Sequence, residues 1–167
     1  MKTSLFDKIL YATDMSDNAK AAAHYALSLA QDYSAYLTVV NVIPDVVEEM
    51  SAIMGYDLAA HYDKENLKSF SKDSIDENKK ILIEKIHTLC DETGSRINNC
   101  MITPKVLIRI GHPVEQIMQV AKEEEPDLII VGSRGHSMLG DLLVGSVARG
   151  VVKNCHVPVL TIPLGSD

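Results

Sequence analysis

The chain has 167 residues, 46% of them hydrophobic and 23% charged, with a formal net charge of -7. That length is about one domain, expected over 1–167, and is enough to bury roughly two-thirds of the unfolded surface. The acidic balance repels nucleic acid and anionic membranes as a bulk effect, so any anionic ligand must be held by local geometry.

Cys90, Cys100 and Cys155 form no CxxC pair and leave an odd count, which argues against a disulfide scaffold or a zinc site. His24, His61, His87 and His156 share no metal-ligand spacing. The N-terminal MKTSLFDKILYATD lacks the apolar core of a signal peptide, and nowhere do about 18 apolar residues run together. A cytoplasmic protein with no membrane partner and no nucleic-acid partner is expected.

Lys8 to Thr13 (KILYAT) reads as a first strand, followed by three helix-capping residues, Asp14, Ser16 and Asp17. Ala19, Ala22, Ala23, Ala26, Leu27 and Ala30 then recur at the spacing of one helix face. Tyr36 to Ile43 (YLTVVNVI) is almost continuously aliphatic, the mark of a strand covered on both faces, and Pro44 ends it. Asp45 to Asp63 has no clean period and is expected to be a mobile loop with at most a helical turn. Lys64 to Thr93 carries Leu67, Phe70, Ile75, Leu82, Ile86 and Leu89 among charges, predicting a long amphipathic helix closed by Gly94 and broken near Ser71 to Ser74.

Pro104 to Ile110 reads as the third strand, with Gly111 and Pro113 opening a helix that carries Val114, Ile117, Met118 and Ala121 inward. Glu123, Glu124, Glu125 and Pro126 end it. Asp127 to Val131 is the fourth strand. Ser146 to Asn154 is a helix with Val147, Val151 and Val152 inward, and Val157 to Ile162 is the last strand, bracketed by Pro158 and Pro163. Strand and helix alternate without a hairpin signal, which predicts an α/β fold: a doubly wound five-stranded parallel sheet with helices on both faces. Ligands of such sheets lie beyond the C-terminal strand ends, where the strand order reverses. Thr13, Asp14 and Gly132 meet there if the first and fourth strands are neighbours.

The stretch LIIVGSRGHSMLGDLLVGSV, Leu128 to Val147, is neither of the two familiar phosphate loops. Its Gly132, Gly135 and Gly140 miss the GxGxxG spacing, and Ser146 stands where a P-loop needs lysine. There is no GxSxG, so Ser133, Ser137 and Ser146 lack the setting of an esterase nucleophile. Gly132 permits close backbone approach, Gly135 a positive-φ turn, and Gly145 with Ser146 offers N–H groups and a hydroxyl at a helix start. Residue types alone leave both a phosphate site and a plain strand-to-helix connection open.

The spacing Gly132, Gly135, Gly145, Ser146 resembles the G-x2-G-x9-G-[S/T] signature of the nucleotide-binding branch of the universal stress protein family. KILYATDMS, VVNVIP, RIGHPVEQI and PDLIIVGSRGHSMLGDLLVGSVARGVVKNCHVPVLTIP extend the likeness along nearly the whole chain. The resemblance implies a Rossmann-like sheet of the adenine nucleotide alpha hydrolase type, with ATP at the strand ends. Magnesium or manganese would arrive with its phosphates, and no protein metal site is implied. It places Ala12, Thr13 and Asp14 at the first strand end, Ala12 standing where some members carry proline, and Asp14 near ribose and adenine. Val42 is expected to meet adenine through its backbone, Val131 and Gly132 to flank the sugar, and Gly135, Gly145, Ser146 and Val147 to hold phosphates. Arg134 and His136 are candidates to neutralise phosphate charge. VPVLTIP resembles the family's dimer strand, implying a homodimer through Val157 to Ile162.

Three functions are compatible with this sequence. The first is a nucleotide-dependent regulatory stress protein that holds ATP. The second is a slow ATPase or phosphotransferase, for which Asp141, His136 and Arg134 are the only local candidates and form no compelling pair. The third is a nucleotide-free interaction module on the same fold.

Overall fold

The computed structural model describes residues 4–16, 19–55, 57, 60, 64–92, 103–133 and 144–163. Five strands, β1 (Lys8–Thr13), β2 (Tyr36–Ile43), β3 (Lys105–Ile110), β4 (Leu128–Gly132) and β5 (Val159–Ile162), form one sheet in the order β3-β2-β1-β4-β5. Every pairing is parallel. The helices are α1 (Ala19–Asp32), α2 (Val46–Met54), α3 (Lys64–Glu92), α4 (Pro113–Glu124) and α5 (Ser146–Asn154).

The aliphatic runs of the central strands are explained by cover on both faces. Ile9, Tyr11, Leu37, Val39, Leu128 and Ile130 pack with Ala22, Ala23, Ala26 and Ala30 of α1 and with Leu82, Ile86 and Leu89 of α3. The alternating residues Leu10, Ala12, Val40, Ile129 and Val131 pack with Ile117 and Val120 of α4 and with Ala148 and Val151 of α5. Period-two alternation therefore divides each strand between two apolar layers. Ile9, Leu10, Ile129 and Ile130 are almost fully buried, each contributing roughly 1.5–3 kcal/mol. The alanine face of α1 lets that helix lie close against β1 and β4. At the other end of the strands, Asp127 Oδ2 accepts from the Asp7 and Lys8 N–H groups at 2.8 and 3.0 Å, fastening the start of β1 to the start of β4.

Three local expectations are corrected. Val46–Met54 is helical where a loop was expected: Asp45 caps it by accepting from the Val47 and Glu48 N–H groups, and Gly55 closes it at φ 73°. Its apolar Met50, Ile53 and Met54 are exposed, and caps at both ends support it. No break occurs at Ser71–Ser74, where α3 runs on unbroken. Serine costs an interior helix position well under about 1 kcal/mol, and the Leu82, Ile86 and Leu89 stripe docks the helix regardless. Val152 is 52% exposed rather than inward; Val151 is buried and Val147 packs against the same layer as expected, with Ala148 beside them. Gly94 lies outside the described residues.

The chain leaves β1 towards β2 and β3, then returns to β4 on the other side of β1. β1 and β4 are direct neighbours, with Ala12 opposite Val131. Their C-terminal ends open the crevice of a topological switch point.

Candidate functional site: a cavity at the switch point

The crevice holds a cavity of about 390 Å³. Ala12, Thr13 and Asp14 reach it from β1, Val42 from β2, Val131 and Gly132 from β4, and Gly145, Ser146 and Val147 from the start of α5. These candidates, scattered through the sequence, thus share one wall. Arg134, Gly135, His136, Gly140 and Asp141 lie outside the described residues, as does Asp17.

Two helix N-termini border the cavity. The N-cap of α5 is Gly145, whose lack of a side chain leaves no side-chain cap for the first-turn N–H groups. The N-cap of α4 is His112, which makes no side-chain cap either, and Pro113 at its first turn lines the same space. Uncapped helix starts present partial positive charge and suit an anion. Ser133 and Gly145 are joined to each other and to β5: Gly145 N–H donates to Ser133 O at 2.6 Å, and Ser133 N–H donates to Ile162 O at 2.7 Å. The root of the glycine stretch is therefore bonded to the end of β5.

At β2 the geometry supplies what residue type could not. β1 ends with Thr13 opposite Asn41. Ile43 O accepts from Gly111 N–H, so Ile43 faces the β3 side. Strand alternation turns the Val42 carbonyl the opposite way, towards the side where β1 has stopped. The Met15 N–H that would continue the ladder donates instead to Thr13 Oγ1 at 3.0 Å. A backbone acceptor consequently stands at the cavity edge.

Thr13 to Ser16 form a tight turn. Asp14 Oδ1 accepts from Ser16 N–H at 3.0 Å and Ser16 Oγ at 2.6 Å, while Met15 sits at φ 59°. Tyr11, beneath the turn, donates its hydroxyl to Ala19 O at 2.9 Å. Burial pushes its phenol up to about 12, with the Thr13 side chain opposing and the Asp14 charge adding to the rise.

Asn41, Ser133, Pro113 and Ile117 also line the cavity, though the sequence assigned none of them to the site. Asn41 Nδ2 donates to Thr13 O at 2.9 Å, and its Oδ1 is buried without a hydrogen-bond partner. One signal was available: an asparagine inside the otherwise apolar YLTVVNVI run is a polar group that needs partners.

The fold is a doubly wound parallel sheet with a cavity at its switch point lined by Gly132 and Gly145. Residues 5–163 match the universal stress protein family. The chain belongs to that family. It is 30% identical over 159 residues to universal stress protein MJ0531 of Methanocaldococcus jannaschii, covering 95% of this chain and 83% of the relative. It is 31% identical over 161 residues to a Thermus aquaticus universal stress protein, covering 95% and 99%. The solved structure of MJ0577 superposes with a TM-score of 0.72 at 26% identity, over 98% of this chain and 99% of that one. A universal stress protein solved in complex with cAMP shares the fold at a TM-score of 0.55 and 19% identity, covering 96% and 98%. The Archaeoglobus fulgidus protein in complex with dAMP does so at 0.56 and 18%, covering 95% and 98%. Among the described residues no helix is long and apolar enough to cross a membrane.

Proposed function

We propose that this chain, as one universal stress domain over 1–167, holds ATP in the switch-point cavity and acts as a cytoplasmic, nucleotide-dependent regulatory protein. The observation that carries this reading is the uncapped start of α5, which opens with Gly145 and Ser146 onto the same cavity as Asp14, Val42 and Gly132. The first-turn N–H groups and the Ser146 hydroxyl receive the phosphates, and Gly132 lets them approach the strand end. The Val42 carbonyl accepts from the adenine amino group. Asp14 faces the ribose hydroxyls, and Val131 flanks the sugar. Arg134 and Gly135 complete the phosphate side. Magnesium or manganese, carried in on the phosphates, neutralises their charge and keeps several waters. The cAMP and dAMP complexes of the same fold support an adenine nucleotide as ligand.

β5 is an edge strand of the sheet, and its free edge pairs with a second copy to form the homodimer. The Ser133–Ile162 bond joins the nucleotide loop to that edge, so bound nucleotide changes the population of a dimer-competent conformation.

Protein purified without added nucleotide and then heat-denatured is expected to release an adenine nucleotide. At a hundredfold excess over Kd, ATP raises the melting temperature by about 5–10 °C. The double variant Gly135→Val, Gly145→Val folds but loses the shift. Unchanged ATP affinity in that folded variant would overturn the site.

A further inference from the structure

The proposed nucleotide site leaves unexplained why α3, on the opposite face of the sheet, reaches into the β1–α1 turn. Lys85 Nζ donates to Met15 O at 2.5 Å across 70 residues of sequence. Lys85 lies on the helix whose Leu82, Ile86 and Leu89 dock into the α1 layer, so its stem leaves α3 beside that buried stripe and ends at the turn.

The turn needs such a hold. Met15 is not glycine, yet it occupies the left-handed region at φ 59°, a conformation that costs of order 1–3 kcal/mol and persists only where its surroundings over-determine it. Thr13 Oγ1 takes the Met15 N–H and Ser16 closes on Asp14. Met15 also packs against the α1–α3 layer. The Thr13 and Asp14 side-chain bonds are made within the turn itself. Asn41 of β2 holds the start of the turn at Thr13 O, and Lys85 of α3 holds the strained residue itself at Met15 O.

We propose that Lys85 is a positioning residue for nucleotide: by holding the Met15 carbonyl it keeps the strained turn in the form that aims Asp14 into the cavity, which couples α3 to the ribose end of the site. The inference rests on the reading of Asp14 as the ribose group. It has a reciprocal consequence, because a ligand that favours one arrangement of the turn must also favour the α3 position that goes with it.

The test compares ATP with 2′,3′-dideoxy-ATP by calorimetry on the full chain, for Lys85→Met, Lys85→Arg, Asp14→Asn and the double variant Lys85→Met, Asp14→Asn. Lys85 is exposed, so folding survives its replacement, as thermal melting will verify. Lys85→Met is expected to weaken ATP by about threefold to tenfold, the range of one hydrogen bond, with little effect on the dideoxy compound. Lys85→Arg restores most of the preference, and in the Asp14→Asn background the lysine change adds nothing further. ATP is also expected to slow amide exchange around residue 85 in the wild type and not in Lys85→Met. An unchanged ATP-to-dideoxy ratio in Lys85→Met, beside a reduced ratio in Asp14→Asn, overturns the coupling and leaves the site intact. An unchanged ratio in Asp14→Asn overturns the ribose assignment and this inference with it.

Discussion

α4 and α5 both line the cavity, and they approach closely at Gly150. A Cβ placed on Gly150 would come within 2.5 Å of Val114 Cγ2 and 3.1 Å of Cγ1. Valine is stiff at χ1 and both methyls stand in the way, so Gly150→Ala has to push the two helices apart. Overpacking of this kind costs about 1–3 kcal/mol, while alanine returns about 1 kcal/mol of helix propensity. The net expectation is a loss of about 1 kcal/mol, or roughly 2–4 °C in Tm for a chain of this size. Because Pro113 on α4 and Ser146, Val147 and Ala148 on α5 all line the cavity, the same displacement should reduce the ATP-induced thermal shift. Urea unfolding with and without ATP measures both effects. Val114→Ala removes the obstructing methyls, so the double variant should recover stability relative to the sum of the singles by about 1–2 kcal/mol. If Gly150→Ala is as stable as the wild type or more so, and binds ATP equally, the close helix approach does not govern the site.

Tyr11, whose phenol is raised to about 12, stabilises the fold in its neutral form. That contribution is complete below the unfolded value near 10 and is lost as pH rises through 12, a span worth about 3 kcal/mol. Tyr11→Phe lacks the hydroxyl bond to Ala19 O and should be less stable than the wild type at pH 8 by about 1 kcal/mol; its unfolding curves should cross those of the wild type above pH 10, and parallel curves would show that the buried phenol is not the source. Asp45→Ala removes the α2 cap at a cost of about 1 kcal/mol. With Met50, Ile53 and Met54 exposed, the loss should be seen as faster amide exchange confined to α2, and an equal fall in global stability would refute that locality. Asp127→Ala removes the acceptor of the Asp7 and Lys8 N–H groups, costing about 1 kcal/mol because water can replace it, with ATP affinity unchanged, since it acts at the opposite end of the strands.

Much of the fold was legible because its signals are local. The both-sided aliphatic runs of β1, β2 and β4 predict a covered parallel sheet, and the Ala19 to Ala30 spacing predicts the face of α1 that the structure buries. The glycine spacing singled out Gly132 and Gly145, which line the cavity, since turn geometry is a property of a few adjacent residues. α2 was not legible, because its caps hold it and its Met50, Ile53 and Met54 are exposed. Val152 was misplaced because the rotation of α5 depends on its packing against the sheet and α4, which the apolar pattern alone does not encode. Strand order was decided only in three dimensions. Nothing in the one-dimensional chain states that Thr13 stops opposite Asn41, so that the Val42 carbonyl faces the crevice, or that Lys85 reaches Met15. Those relations follow from long-range pairing and close packing, where neighbours in space are distant in sequence. They turn a set of suggestive residues into a single cavity.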